Sequence, residues 1–282
     1  MTLLVDAGWL AEHRDEVDLV DVRWSPTEGT AAANRNFEAG HIPGAMLFDI
    51  DRDLAGDPAA GPGRHPLPSP EAFAHTLGAA GIGGDRMVVA YDDAGCSFAA
   101  RLWWMLESTG RACALLDGAL GAWPGPIETG PASSRQAVAV EPRPWPSDRL
   151  ADADAVLAAL RAGSARVLDV RAGERYRGEV EPFDPVAGHI PGAQNAPWTE
   201  NLDDDGRFRS AEELRRRFTA IGVADGARTI AQCGSGVTAC HEVFALRLAG
   251  LGDARLYEGS WSDWVRDPGR PVATGDDPGS LD

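Results

Sequence analysis

The chain is written twice. The segment LVDVRW (Leu19 to Trp24) recurs as VLDVRA (Val167 to Ala172), and GHIPGA (Gly40 to Ala45) recurs unchanged at Gly188 to Ala193. Asp21 and Asp169 are 148 residues apart, as are His41 and His189, so both matches share one register. Further on, DGALGAW (Asp117 to Trp123) resembles EGSWSDW (Glu258 to Trp264) at an offset of 141. The second half is therefore seven residues shorter between its motifs. Three motifs in one order mean that whatever the first half folds into, the second folds into as well. With 282 residues in all, each copy has the size of an ordinary domain.

Between the copies, Pro124 to Pro146 carries PGPIETGPASSRQ and EPRPWP. Proline at that density blocks helix continuation and fixes extended segments. The expected organisation is a first domain over 1–128, a linker over 129–147 and a second domain over 148–282. Within the linker, AVAV (Ala137 to Val140) is a candidate strand packed on either domain.

Inside each half, short apolar runs alternate with helical stretches. LVDV (Leu19 to Val22), MVVAY (Met87 to Tyr91) and CALL (Cys113 to Leu116) are matched by VLDV (Val167 to Val170), TIAQ (Thr229 to Gln232) and ARLY (Ala254 to Tyr257). Runs bounded by Gly or Asp without polar alternation suit strands buried on both faces. Helices are expected over Ser97 to Ser108, Asp152 to Ala162, Ser210 to Ile221 and Thr238 to Ala249. Ser210 with Glu213 has capping-box spacing, and Ser69-Pro70 puts proline at a first helical position. The expected fold is α/β: two tandem domains, each a mainly parallel sheet flanked by helices.

Composition removes whole classes of chemistry. All 26 basic residues are arginine and none is lysine, which excludes lysine Schiff bases, pyridoxal phosphate attachment and a lysine-bearing phosphate loop. The net charge of −17 disfavours nucleic acid as a partner, but is compatible with a small anion held by a few local arginines. Four cysteines in a chain this long do not make a disulfide scaffold, and no CxxC or HExxH points to a metal. The opening MTLLVDAGWLAEHRDEVD lacks a basic stretch followed by an apolar core, and no apolar run of about 18 residues follows. The expected setting is a reducing cytoplasm, with no membrane and no cofactor.

The segment that carries chemistry is TIAQCGSGVTACHEVFALRLAG, Thr229 to Gly250. A buried strand ends at Gln232, CGSGVT forms a tight loop, and an amphipathic helix is expected from about Thr238. Gly234 and Gly236 let the backbone curl so that successive N–H groups point inward, at the positive end of a helix. A sulfur at Cys233 would be held there as its anion, and the same cradle suits a persulfide or an oxyanion. The alternative is an inert buried thiol, but ligands in α/β proteins bind at such strand ends. Cys96, Cys113 and Cys240 read as core or near-core thiols, with a redox role for Cys240 the weaker alternative.

Two copies of a domain with DVR, GHIPGA and a Cys-loop-helix resemble the rhodanese (sulfurtransferase) superfamily in its tandem form, over nearly the whole chain. The loop Cys233-Gly234-Ser235-Gly236-Val237-Thr238 resembles the CGSGVT signature of 3-mercaptopyruvate sulfurtransferases, whereas thiosulfate-specific relatives typically carry Arg and Lys after the cysteine. The resemblance implies a silent N-terminal copy, and the equivalent of Cys233 falls there at Asp92 or Asp93. It also implies a Cys233 persulfide formed from a small anionic donor, 3-mercaptopyruvate or else thiosulfate. The outer sulfur then passes to cyanide or a thiol, such as a small thiol or a thioredoxin-like protein. Ser235 would hydrogen-bond the substrate and help move its proton.

The resemblance assigns a substrate arginine to the segment before GHIPG, where Arg175 stands in ERYRG. A second family arginine, in an EPR element, is missing: the stretch here reads Glu181-Pro182-Phe183-Asp184. Arg177, Arg171 and Arg101 are the candidate replacements, Arg177 first. His189 reads as a turn anchor. For His41 the resemblance implies a place beside the loop serine with an Asp completing a triad, yet no Asp lies in Thr30 to Phe37. Phosphate-ester hydrolysis by a C-x5-R loop is disfavoured, since the sixth residue after Cys233 is Ala239. The remaining alternative is a non-catalytic sulfur-carrier or interaction module.

Overall fold

The computed structural model describes residues 2–281. The chain forms two compact units. The first takes in the chain through Gly56, with Leu67–Pro146 and Asp204–Phe208; the second takes in Asp57–Pro66, Ser147–Asp203 and the chain from Arg209.

The first unit contains, in chain order, β1 (Leu4–Val5), α1 (Ala7–His13), β2 (Val17–Asp21), α2 (Gly29–Ala39), β3 (Met46–Leu47), α3 (Pro70–Ala79), β4 (Met87–Tyr91), α4 (Ala99–Ser108) and β5 (Cys113–Leu116). Its sheet runs β1-β5-β4-β2-β3 with every pair parallel. The second unit repeats this with β6 (Leu150–Ala151), α5 (Ala153–Ala162), β7 (Arg166–Asp169), α6 (Gly173–Tyr176), β8 (Gln194–Asn195), α7 (Ala211–Ala220), β9 (Thr229–Gln232), α8 (Ala239–Leu248), β10 (Arg255–Tyr257) and α9 (Ser260–Trp264). Its sheet runs β6-β10-β9-β7-β8, again all parallel. The tandem α/β architecture read from the sequence is the one observed.

The helices begin where side chains satisfy their first amides. Asp6, Ser69 and Asp152 each accept the N–H three residues on, at 2.7, 3.1 and 2.7 Å. Ser210 and Glu213 close a reciprocal capping box. Each sheet has its own core: Leu19, Val89, Phe37 and Tyr91 in the first unit, and Val167, Ile230, Tyr257 and Trp261 in the second.

The repeated motifs are repeated because they lock each other. In the first unit Arg23 donates from Nη2 to Asp21 at 2.7 Å and to the carbonyl of Gly40 at 2.6 Å. In the second, Arg171 donates to Asp169 at 2.6 Å and to the carbonyl of Gly188 at 2.7 Å. DVR thus reaches GHIPG through one buried guanidinium, and the buried charges are tolerated because each is paired and hydrogen-bonded.

Three expectations change. Ala137 to Val140 forms no strand: it is mostly exposed, attached by the Val138 N–H to the Gly78 carbonyl at 3.0 Å. The strands read at Leu19 to Val22, Val167 to Val170 and Ala254 to Tyr257 lie at Val17–Asp21, Arg166–Asp169 and Arg255–Tyr257. Helix α8 is buried at every position from Ala239 to Leu246, so it is a core helix without a solvent face.

Candidate active site

Cys233 is the first residue after β9, the middle strand of its sheet. The chain fills one side of that sheet with β7 and β8 and the other with β10, so the strand order reverses beside β9. The carboxyl end of the strands at such a reversal is where open α/β sheets form a crevice.

The loop is sewn to the start of α9. The Cys233 N–H donates to Ser260 Oγ at 3.0 Å, while the carbonyls of Cys233 and Gly234 accept from Trp261 and Ser262 at 3.0 and 2.9 Å. The Gly236 N–H donates to Cys233 Sγ at 3.2 Å. Gly236 has φ +78°, and a Cβ there would stand 2.2 Å from the Glu258 carbonyl oxygen, so only glycine fits. Ser260 has φ +53°, unusual for serine, and its hydroxyl donates to the Tyr257 carbonyl at 2.8 Å. Cys233 is 2% exposed, with Val237 buried beside it and Thr238 leading into α8.

Ser235 Oγ lies 2.7 Å from Nδ1 of His65. Two guanidiniums approach Gly234: a Cβ at that position would meet Arg64 Nη2 at 3.2 Å and Arg175 Nη2 at 3.3 Å. Arg175 is aimed by Glu181, at 2.7 and 3.0 Å, and Arg64 pairs with Asp184. The Phe183 ring lies near both, 5.1 Å from Arg175 and 5.7 Å from Arg64.

His65 and Arg64 belong to Asp57–Pro66, a Gly- and Pro-rich strap held by Arg266. Arg266 donates to the carbonyls of Pro58, Gly61 and Gly63 at 2.9, 2.7 and 2.6 Å. The Arg64 N–H donates to Ser262 Oγ at 3.0 Å. A Cβ on Gly63 would stand 2.3 Å from the Gly259 carbonyl oxygen, so the strap passes backbone to backbone.

Of the residues singled out in the sequence, Cys233, Gly234, Ser235, Gly236 and Arg175 come together. Arg177 does not: it pairs with Glu179 at 2.8 Å and faces the exposed Asp276 at 3.7 Å. His41 is not the imidazole on Ser235. Its ring stacks on Phe37 with centroids 3.7 Å apart, and Nδ1 bonds the Phe37 carbonyl at 2.8 Å. His189 repeats this on Tyr176, at 3.7 and 2.8 Å, so the GHIPGA histidine anchors a turn in both copies. Arg171 is held by Asp169, and Arg101 reaches the Leu54 carbonyl.

Arg64 and His65 are site residues that the sequence does not mark. Their strap carries no periodic pattern, and a lone His-Pro in a loop gives no signal of its place.

In the first unit the residue after β4 is Asp92, the topological counterpart of Cys233. Its buried carboxylate accepts from the amides of Ala94, Cys96, Phe98 and Ala99 at 2.8, 2.8, 2.8 and 3.0 Å. The cradle is intact and filled by its own acid. Burial, strengthened by Asp92, pushes the nearby Cys96 thiol well up, and burial does the same to Cys113. Cys240 is buried and directs its thiol to the Gly236 carbonyl at 3.3 Å. Among the described residues no group of three or more His, Cys, Asp or Glu is placed to hold a metal ion, and no helix is long and apolar enough to cross a membrane.

The rhodanese-like domain model matches residues 6–125 and again 152–267. A Pseudomonas aeruginosa protein named as a probable 3-mercaptopyruvate sulfurtransferase is 47% identical over 97% of this chain and 98% of its own. A Mycobacterium tuberculosis protein named provisionally as a thiosulfate sulfurtransferase is 42% identical over 97% of both chains. The solved 3-mercaptopyruvate sulfurtransferase of Escherichia coli superposes with a TM-score of 0.79 at 33% identity, covering 93% of this chain and all of that one. The chain belongs to the rhodanese family in its tandem form and is a sulfurtransferase resembling the 3-mercaptopyruvate enzymes.

Proposed function

We propose that the protein transfers sulfur from 3-mercaptopyruvate through a persulfide on Cys233. The observation that carries this reading is the convergence of Arg64 and Arg175 over Gly234, next to a sulfur that accepts the Gly236 N–H. A carboxylate is best met by planar guanidinium forks, and charge developing near the sulfur is best met by a fixed amide.

The Cys233 thiolate attacks the donor sulfur, the carbon–sulfur bond breaks, and its electron pair leaves as the enolate of pyruvate. The enolate takes one proton and pyruvate departs, while the enzyme holds Cys233–S–SH. His65 and Ser235 form a path that can hold or deliver that proton beside the donor carbonyl. A thiol, or cyanide in the assay, then attacks the outer sulfur and restores Cys233. Small thiols and a thioredoxin-like protein are the proposed acceptors, in the cytoplasm, with the chemistry carried by side chains alone.

The test compares pyruvate release from 3-mercaptopyruvate with thiocyanate release from thiosulfate and cyanide, using Cys233→Ser as control. Wild type is expected to prefer 3-mercaptopyruvate and the variant to be inactive with both. Equal activity of wild type and variant would end the nucleophile assignment. A preference for thiosulfate would favour the second reading, supported by the M. tuberculosis relative's name.

A further inference from the structure

Asp184 takes no part in the proposed reaction beyond pairing with Arg64. Its side chain is 4% exposed and pairs with Arg64, and its Oδ2 stands 3.8 Å from Arg175. That oxygen is buried and accepts no hydrogen bond, an arrangement that costs folding free energy. Nor is the side chain needed to shape its own segment. Glu181 does that, accepting the Phe183 and Asp184 amides at 3.1 and 3.3 Å.

Asp184 changes the charge that a donor meets. Arg64, Arg171 and Arg175 are paired with Asp169, Glu181 and Asp184, three cations against three carboxylates. Within this set the Asp184 carboxylate cancels one guanidinium charge that a ligand would otherwise meet. We propose that Asp184 is a specificity-determining residue, which disfavours dianionic sulfur donors and so favours a monoanionic keto acid. This rests on the donor-binding reading above. 3-Mercaptopyruvate carries one full negative charge and thiosulfate two, so the buried Asp184 carboxylate repels thiosulfate the more strongly. At separations of roughly 6 Å and an effective dielectric constant of about 20, one such repulsion is worth about ten- to a hundredfold in relative binding.

The test measures kcat/KM with thiosulfate and with 3-mercaptopyruvate, cyanide as acceptor, at fixed ionic strength. Asp184→Asn keeps the shape and an acceptor for Arg64, and Asp184→Ala removes both. In each variant the thiosulfate to 3-mercaptopyruvate ratio is expected to rise about tenfold or more. Asp276→Asn removes an exposed acid and is expected to leave the ratio within about twofold. The ratio isolates the role, because a general loss of packing lowers both donors together. An unchanged ratio in both variants, or a proportional fall with both donors, overturns the proposal. A wild type inert toward both donors overturns the donor reading itself, a result distinct from an active enzyme whose ratio does not move.

Discussion

His65 Nδ1 lies 2.7 Å from Ser235 Oγ, although 170 residues separate them in sequence. If this pair moves the proton that pyruvate needs, Ser235→Ala and His65→Ala should each lower kcat with 3-mercaptopyruvate by about a hundredfold, within the usual range for general acid–base groups. Alkylation of Cys233 by iodoacetamide should stay within about threefold, since the amide on its sulfur comes from Gly236. Stopped-flow pyruvate release alongside labelling kinetics separates the two. A parallel loss of both would assign the pair a structural role.

The arginine pair makes a different kind of prediction. Arg64→Ala and Arg175→Ala should each raise KM about ten- to a hundredfold, the cost of losing a charge-assisted contact of about 1.5–3 kcal/mol. Arg177→Ala, whose guanidinium is engaged by Glu179, should change KM by less than about twofold. An Arg64 variant with unchanged kinetics would remove the strap from the donor site.

Arg266 offers a test of the strap that leaves the donor-contacting residues intact. Arg266→Met removes three charge-assisted bonds to the carbonyls of Pro58, Gly61 and Gly63. Limited proteolysis should then cut within 57–66, and kcat/KM should fall tenfold or more, with Arg266→Lys partly restoring both. Cleavage and activity equal to wild type would show that the strap holds its place without this residue.

In the first unit the acid at the counterpart of Cys233 holds its own loop together. Asp92→Ala strips the acceptor from four amides, two of them buried, and should destabilise the first unit by about 2–4 kcal/mol. Denaturant unfolding reads this directly. A midpoint equal to wild type would mean that water replaces the carboxylate at no cost.

Much of this was legible in advance. MVVAY, CALL and TIAQ lie in strands as read, because apolar runs bounded by turn residues leave few alternatives. The two-residue edge strands β1, β3, β6 and β8 were not legible, since so short a run has no periodicity and is defined by its partner. Helix α2 was also hidden: its core face is Ala32, Ala33 and Phe37, too small a stripe to stand out. In the site, Cys233, Ser235 and the glycines were readable because they share one loop. Arg64 and His65 were not, because their nearness to that loop is a property of the fold alone. His41 drew attention through its motif, yet what the motif encodes is a ring stacked on Phe37 and a bond to its carbonyl.

The whole reaction depends on Cys233 carrying the sulfur. The most direct measurement is mass spectrometry of the protein after 3-mercaptopyruvate, without acceptor, followed by fragmentation of the tryptic peptide from Thr229 to Arg247, which holds Cys233 and Cys240. The expected result is a gain of one sulfur atom located on Cys233, discharged by cyanide and absent in Cys233→Ser. No gain in wild type, a gain located on Cys240, or the same gain in the variant would contradict it.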